Sequence, residues 1–509
     1  MIKFIDDFLN KITMYRLVMY SLIFMILGSV ALSFFEVLHY DPIKLIIGGV
    51  FITIICIITN EIFAYIFEAP ANVESVYITA LILVLLITPI ENFADTPYLF
   101  FIFWASVLSI ASKYILAIRK KHIFNPAAFA VAITAISINQ TASWWVGTMS
   151  MAPFVIIAGI LIVRKIRRLD LVLSFIIFAL FSIVGLKALN GADIITTTWR
   201  TLFYSPLLFF AFVMLTEPLT TPPTRWLRVA YGAVCGFLFS PSMHVGSIYS
   251  TPELSLLAGN IFSYFVSPKE KLILKLKEKT KVAEDTYDFS FTSDRHLYFK
   301  PGQYLEWTFG HYNPDTRGNR RYFTISSSPT EPEIHMGIKF YPQPSSFKKN
   351  LLNITPGDTI VASQLAGDFT IPKDPTKKLV FIAGGIGVTP FRSMIKFLID
   401  AKQKRDIVLI YSNKKSTDIA YKDIFDQAEL ELGIKTVYSF TDKDATPPPY
   451  PAYMGFIDGK IIAKAMPDYL ERYFYLSGPH GMVTAFEETL LSIGVKSSHI
   501  KTDFFPGFA

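Results

Sequence analysis

The 509-residue chain has two cysteines, Cys56 and Cys235, both inside apolar runs. Two thiols so placed exclude a disulfide framework, a cysteine-rich zinc site and a cysteine-ligated iron–sulfur cluster made by this chain alone. No metal site is expected. Histidine is scarce as well: before residue 268 only His39, His122 and His244 occur. All three lie near the ends of apolar runs, and no two share a run at a spacing that would hold stacked haems, which argues against bis-histidine ligation. Charged residues are only 17% of the chain, with a net charge of +7. The basic clusters fall between apolar runs, so they read as topology signals, and no nucleic-acid partner is expected. The segment from Met1 to Lys11 leads into a long apolar run without a small-residue cleavage site, which favours a retained anchor over a signal peptide.

Apolar residues make up 52% of the chain and the mean hydropathy is +0.40, too apolar for an ordinary soluble protein of this length. Runs that could cross a ~30 Å hydrocarbon core occur near 14–35, 43–67, 75–90, 97–118, 124–139, 145–163, 171–188, 200–215, 227–240 and 244–266. They predict a polytopic helical domain of about ten spans in a lipid bilayer. Arg119–Lys121, Arg164–Arg168, Arg225 with Arg228, and the lysines after Pro268 all follow even-numbered runs. By the positive-inside rule these share the cytoplasmic side, so the expectation is a multi-pass protein of the cell membrane with both termini cytoplasmic.

Three features of this half exceed a plain anchor. Phe124-Asn125-Pro126-Ala127-Ala128-Phe129 opens a run with small residues that let helices approach closely, or is an ordinary helix start with Pro in its first turn. Thr216-Glu217-Pro218-Leu219-Thr220-Thr221-Pro222-Pro223-Thr224 is a hydroxyl-rich segment that could cradle a cofactor or turn the chain. Glu61 lies inside the second run, where an ionised carboxylate is functional by default unless it snorkels. These segments together resemble the flavin-carrying membrane subunits of Rnf complexes and sodium-pumping NADH:quinone reductases. That resemblance implies an FMN in the membrane half. The family's Ser-Gly-Ala-Thr attachment signature is absent here, although Thr196–Thr198 and Thr220–Thr224 offer hydroxyls.

After Pro268 the composition changes. Short alternating runs at 272–276, 287–291, 304–309, 322–325, 334–340 and 359–361, separated by Pro-Gly and Gly-Asp turns, predict a small antiparallel β-barrel. From Lys378, strands near 379–383, 407–412, 436–440 and 473–477 alternate with helices near 391–401 and 420–432, which predicts a doubly wound parallel sheet. The expected domains are residues 1–268, 269–374 and 375–509.

Two candidate sites follow. In Arg321-Tyr322-Phe323-Thr324 a period of two places Arg321 and Phe323 on one face and Thr324 on the other. The guanidinium suits a phosphate, the Phe323 ring an isoalloxazine face, and Thr324 the hydride-accepting nitrogen; a polar-edged strand of the barrel is the alternative. Ser345, Ser346 and Lys348 open a short helical stretch that could hold a pyrophosphate, which implies FAD more than FMN. Gly384, Gly385 and Gly387, then Thr389 and Pro390, form a strand-to-helix turn where backbone can approach a dinucleotide. Ser477-Gly478-Pro479-His480-Gly481-Met482 forms another carboxyl-end turn facing the same crevice. Ser412 and Lys414 end the second sheet strand, where lysines favour NADPH over NADH or are simply solvated.

These motifs stand in the order found in the ferredoxin–NADP reductase family, which residues 270–509 resemble. The resemblance implies FAD on Arg321, Tyr322, Phe323, Thr324, Ser345, Ser346 and Lys348, a nicotinamide nucleotide on Gly384, Gly385, Gly387, Thr389, Pro390, Gly478, Pro479 and Met482, and hydride transfer between them beside Thr324 and Ser477. Ser477 stands where the family usually has cysteine. Phe504, Phe505 or Phe508 could supply the terminal aromatic of plant-type members. The expected activity is electron transfer from cytoplasmic NADH or NADPH through FAD to a flavin, quinone or extracytoplasmic acceptor. Two alternatives are a redox-driven ion translocator, with Glu61 as its only sequence hint, and a membrane-anchored reductase of ferredoxin or flavodoxin.

Overall fold

Asp41, Asp95, Asn125, Asp193 and Thr251 punctuate the apolar half, and each caps a helix by accepting a backbone N–H two or three residues on. Proline follows at the first helical position in Pro42, Pro126 and Pro252, where its missing N–H costs nothing. In the computed structural model, which describes residues 5, 8–9, 12–67, 73–118, 121–267, 271–311, 315, 319–442 and 447–505, the helices of this half are α1 (Met14–Phe34), α2 (Pro42–Ile66), α3 (Val73–Leu86), α4 (Thr96–Ile115), α5 (Pro126–Ser137), α6 (Ala152–Ile166), α7 (Leu169–Leu189), α8 (Ile194–Phe203), α9 (Arg225–Leu238) and α10 (Pro252–Val266). The chain divides into two units, Met1–Glu270 and Lys271–Ala509.

The expectation of about ten spans is corrected. Among the described residues four helices, α1, α2, α4 and α7, are long and apolar enough to cross a membrane. Three of the other apolar runs are cut by breakers that a hydropathy window averages away. The run at 75–90 ends as helix at Leu86, before Pro89, and the run at 200–215 breaks at Ser205-Pro206. The run at 244–266 opens with a two-stranded hairpin, His244–Val245 with Ile248–Tyr249, and only then becomes α10. Within the unit α7 and α9 meet at backbone distance: a Cβ on Gly232 or Gly236 would lie 2.7 or 2.5 Å from the carbonyl oxygens of Leu171 and Phe175, the close approach that small residues permit. Glu61 is exposed on α2.

In the second unit the alternating runs form β1 (Lys271–Ala283), β2 (Thr286–Ser293), β3 (Tyr304–Thr308), β4 (Arg320–Thr324), β5 (Ile334–Lys339), helix α11 (Ser346–Leu352) and β6 (Thr359–Ala366). The strands make a six-stranded antiparallel sheet in the order β4-β3-β6-β1-β2-β5. It curls until its edges approach, where the Ser326 N–H donates to the His335 carbonyl at 2.9 Å. Trp307, Phe289, Phe291 and Phe347 fill its interior.

The rest of the unit is β7 (Leu379–Gly384), α12 (Thr389–Asp400), β8 (Ile407–Asn413), α13 (Lys422–Leu432), β9 (Lys435–Phe440), β10 (Ala452–Met454), α14 (Gly459–Ala465), β11 (Tyr473–Pro479), α15 (His480–Ser492) and β12 (Ile500–Phe505). The sheet is parallel, in the order β10-β9-β8-β7-β11-β12. Its central strand β7 is buried throughout, as a continuous apolar run between two helical layers requires. The short β10, α14 and β12 carry too few periodic residues to be read from sequence. Phe504 and Phe505 are register partners of Gly478 and Pro479, while Phe508 lies outside the described residues.

Candidate functional site

Parallel strands end on one edge of a sheet, so the turns after β7 and β11 are neighbours by topology. Their backbones touch. A Cβ on Gly387 would lie 2.4 Å from the Ser477 carbonyl oxygen and 2.6 Å from Gly478 Cα, and one on Gly384 would lie 2.1 Å from Met482 Sδ and 3.2 Å from Pro479 Cδ. Gly385 has φ +52° with open space above it, a conformation that glycine adopts without steric cost. Thr389 is buried, its hydroxyl donating to the Ile386 carbonyl at 3.2 Å, and Pro390 follows in the first turn of α12. Gly384, Gly387, Ser477, Gly478, Pro479 and Met482 are thus brought together. Ser412 is the register partner of Gly384 on β8. Lys414 lies beyond it and is exposed, while Lys415 Nζ stands 3.9 Å from Asp442.

On the curled sheet, Arg321 and Phe323 do share a face. Arg321 Cζ lies 5.2 Å from the Phe347 ring centroid and the Phe323 ring 6.0 Å from it. Tyr322 points the other way, its hydroxyl donating to Glu306 Oε2 at 2.7 Å. Ser345 caps α11 by accepting from the Lys348 N–H. Ser346 N–H donates to Asp315 Oδ2 at 2.9 Å, so a carboxylate occupies the position expected to suit a pyrophosphate. Lys348 Nζ donates to the Lys339 carbonyl at 2.9 Å and lies over Tyr341.

The hydroxyls of Thr324 and Ser477 are buried and make no hydrogen bond among the described residues. An unmet buried hydroxyl costs ~1–3 kcal/mol, and a flavin edge or a nicotinamide carboxamide would satisfy each. The glycine cradle and these two hydroxyls fit FAD and a nicotinamide nucleotide.

Sequence reasoning missed a buried network beside them. Asp288 accepts from Tyr421 Oη at 2.6 Å and Ser326 Oγ at 3.2 Å, and meets His335 Nδ1 at 2.6 Å. Burial opposes its ionisation, but the hydrogen bonds from His335 and Tyr421 and the charge of Arg392 hold its carboxyl below the usual range. Burial beside Asp288 pushes the Tyr421 phenol well up, so it stays a donor. No local sequence pattern marks this network; Tyr421 takes φ +59° just before α13.

Residues 381–488 match the oxidoreductase NAD-binding domain family. Among curated relatives, the chain is 28% identical over 233 residues to the glycine betaine monooxygenase reductase subunit of Chromohalobacter salexigens, covering 44% of this chain and 62% of that protein. It is 29% identical over 216 residues to a flavohemoprotein of Bacillus cereus, covering 41% and 53%. The chain therefore spans less than two thirds of either relative. Among solved structures it is similar to the flavohem-like FAD/NAD-binding domain of a nitric oxide dioxygenase from Vibrio cholerae, at 19% identity and a TM-score of 0.41, covering 46% and 98%. The matched NAD-binding residues run from β7 into α15 of the second unit.

The first unit has a polar cluster of its own. Two segments marked in the sequence meet there: Asn125 Nδ2 donates to Glu217 Oε2 at 2.9 Å, and Glu217 also meets His122 Nε2 at 3.3 Å and Thr220 Oγ1 at 3.2 Å. Asn260 Oδ1 accepts from the Asn125 N–H at 2.7 Å, and its amide donates to Tyr231 at 3.0 Å. Glu253 is buried elsewhere in the unit, accepting from Trp144 Nε1 at 3.0 Å.

Proposed function

We propose that the protein is a membrane-embedded flavoprotein reductase that passes electrons from cytoplasmic NADH or NADPH through FAD to an acceptor served by residues 1–270. The observation that carries this reading is the backbone-to-backbone meeting of the Gly384–Gly387 and Ser477–Pro479 turns, with the Ser477 hydroxyl unmet among the described residues.

FAD supplies two-electron acceptance from a hydride and one-electron release. This chain supplies position. Arg321 offers charge to phosphate, Phe323 or Tyr322 a ring face, and Thr324 a buried hydroxyl at the flavin edge. The glycine turns admit the dinucleotide backbone, and Ser477 offers a hydrogen bond to its nicotinamide end. Lys414 supports NADPH as the donor. The four long apolar helices and the lysines after Pro268 support a multi-pass placement with cytoplasmic termini. The Asn125–Glu217–Thr220 cluster supports a flavin or quinone as the acceptor, in keeping with the resemblance to flavin-carrying membrane subunits.

Flavin content of the detergent-purified protein tests the route. FAD together with FMN, or two flavins per chain, supports a flavin relay; FAD alone leaves quinone or an extracytoplasmic acceptor. Failure of both NADH and NADPH to bleach bound FAD anaerobically overturns the reading. A redox-driven ion translocator is the second reading, favoured by the buried Glu253 rather than by Glu61, which is exposed. Turnover in vesicles that is indifferent to sodium and to a proton gradient counts against it.

A further inference from the structure

We infer that Asp288 and Tyr421 are a positioning pair that seats the nucleotide-binding turn against the flavin-binding sheet and so sets the geometry of hydride transfer. The inference rests on the reductase reading above.

Asp288 belongs to β2 and is the register partner of Gly337 on β5. Gly337 is where the curled sheet meets the turn: a Cβ there would stand 2.3 Å from Tyr421 Oη, 2.8 Å from Thr389 Cγ2 and 3.4 Å from Ile386 Cδ1. Ile386 and Thr389 belong to the glycine turn itself. Tyr421 leads into α13 on the nucleotide side and sends its hydroxyl 2.6 Å to Asp288 Oδ1. The same carboxylate holds Ser326, two residues beyond Thr324. Ser326 in turn accepts, through its carbonyl, from Arg392 at 3.0 Å, and the next carbonyl, of Ser327, accepts from Ser393 at 2.6 Å. Arg392 also pairs with Glu331.

A short path of bonds therefore links the segment just beyond Thr324 to α12, which follows the glycine turn, and to the start of α13, and Asp288 is the acceptor where Ser326 and Tyr421 meet. Packing alone would need no converging donors. Hydride transfer demands reacting atoms ~3–3.5 Å apart, and a ~1 Å displacement costs ~100-fold. Neither Asp288 nor Tyr421 needs to touch a reacting atom to control that distance.

The test is anaerobic stopped-flow reduction of the full-length, FAD-containing protein by NADH and by NADPH, with rates expressed per bound FAD. Tyr421→Phe and Asp288→Ala are expected to lower the limiting reduction rate ~10-fold or more while the half-saturating nucleotide concentration changes less than about two-fold. Asp288→Asn keeps an acceptor for Tyr421 and is expected to restore the rate to within about three-fold of wild type. Unchanged limiting rates per FAD in both Tyr421→Phe and Asp288→Ala overturn the inference, as does a loss confined to FAD content or thermal stability. Wild-type flavin that neither nucleotide reduces overturns the reductase reading and this inference with it.

Discussion

A Cβ added to Gly387 would stand 2.4 Å from the carbonyl oxygen of Ser477, so the turns after β7 and β11 leave no room for a side chain between them. Backbone cannot swing aside as a side-chain tip can. Gly387→Ala is expected to cut NAD(P)H-dependent flavin reduction by at least ~10-fold with FAD retained, read by anaerobic bleaching of the flavin band. Gly385→Ala meets open space and carries only left-handed backbone strain of ~1–2 kcal/mol. Its effect should therefore appear mainly as lower thermal stability.

The unmet hydroxyls of Thr324 and Ser477 give a different signature. Thr324→Val and Ser477→Ala each remove an unsatisfied buried group, which is expected to leave stability without cofactor equal or higher. The same substitutions should slow flavin reduction ~10-fold, because the group each hydroxyl is placed to bond loses a partner. Equal rates in wild type and both variants would rule out the assigned roles.

Acid sensitivity of the nucleotide-binding part should centre on Asp468. Its hydrogen bond from Arg472, with a further one from Lys378, lowers its pKa to about 2, burial opposing. A depressed carboxyl pKa stabilises the folded state fully above the unfolded value of ~3.9 and ceases to do so as pH falls through the folded value. Asp468→Asn is therefore expected to lower the melting temperature at pH 7, by no more than ~3 °C because the pair is partly exposed. The difference from wild type should vanish between about pH 4 and pH 2.

Asn125 has two structural tasks: it caps α5 through the Ala128 N–H at 3.0 Å and donates to Glu217 at 2.9 Å. Asn125→Ala should lower stability in detergent by ~1–3 kcal/mol. Asn125→Asp keeps the cap but sets a carboxylate against Glu217, and it should be the worse of the two at neutral pH and recover on acidification. Melting curves of the two variants across pH check the order.

All six strands of the curled sheet and the four inner strands of the parallel sheet were legible because period two, apolar runs and flanking turns are local properties, and the glycine turns because a strand-to-helix junction marks itself with Gly, Thr and Pro. The span count was not legible. Apolar composition of 75–90 or 200–215 is equally compatible with a crossing helix and with a short helix stopped by a proline or a cap. For Glu61 the apolar run left a functional carboxylate and a snorkelling one both open, because hydropathy sees neighbours in sequence; the folded chain exposes it on α2.

An apolar half ahead of a polar one, an antiparallel sheet ahead of a parallel one and the two glycine-bearing turns could all be read from the chain alone. Each of these follows from spacing over a few residues. Only the tertiary structure decided that Asn125 meets Glu217, that Glu253 is buried, and that Asp288 bonds Tyr421 across 133 residues of chain. A polar group's environment depends on which distant elements cover it, and a buried carboxylate persists only where donors from those elements converge on it.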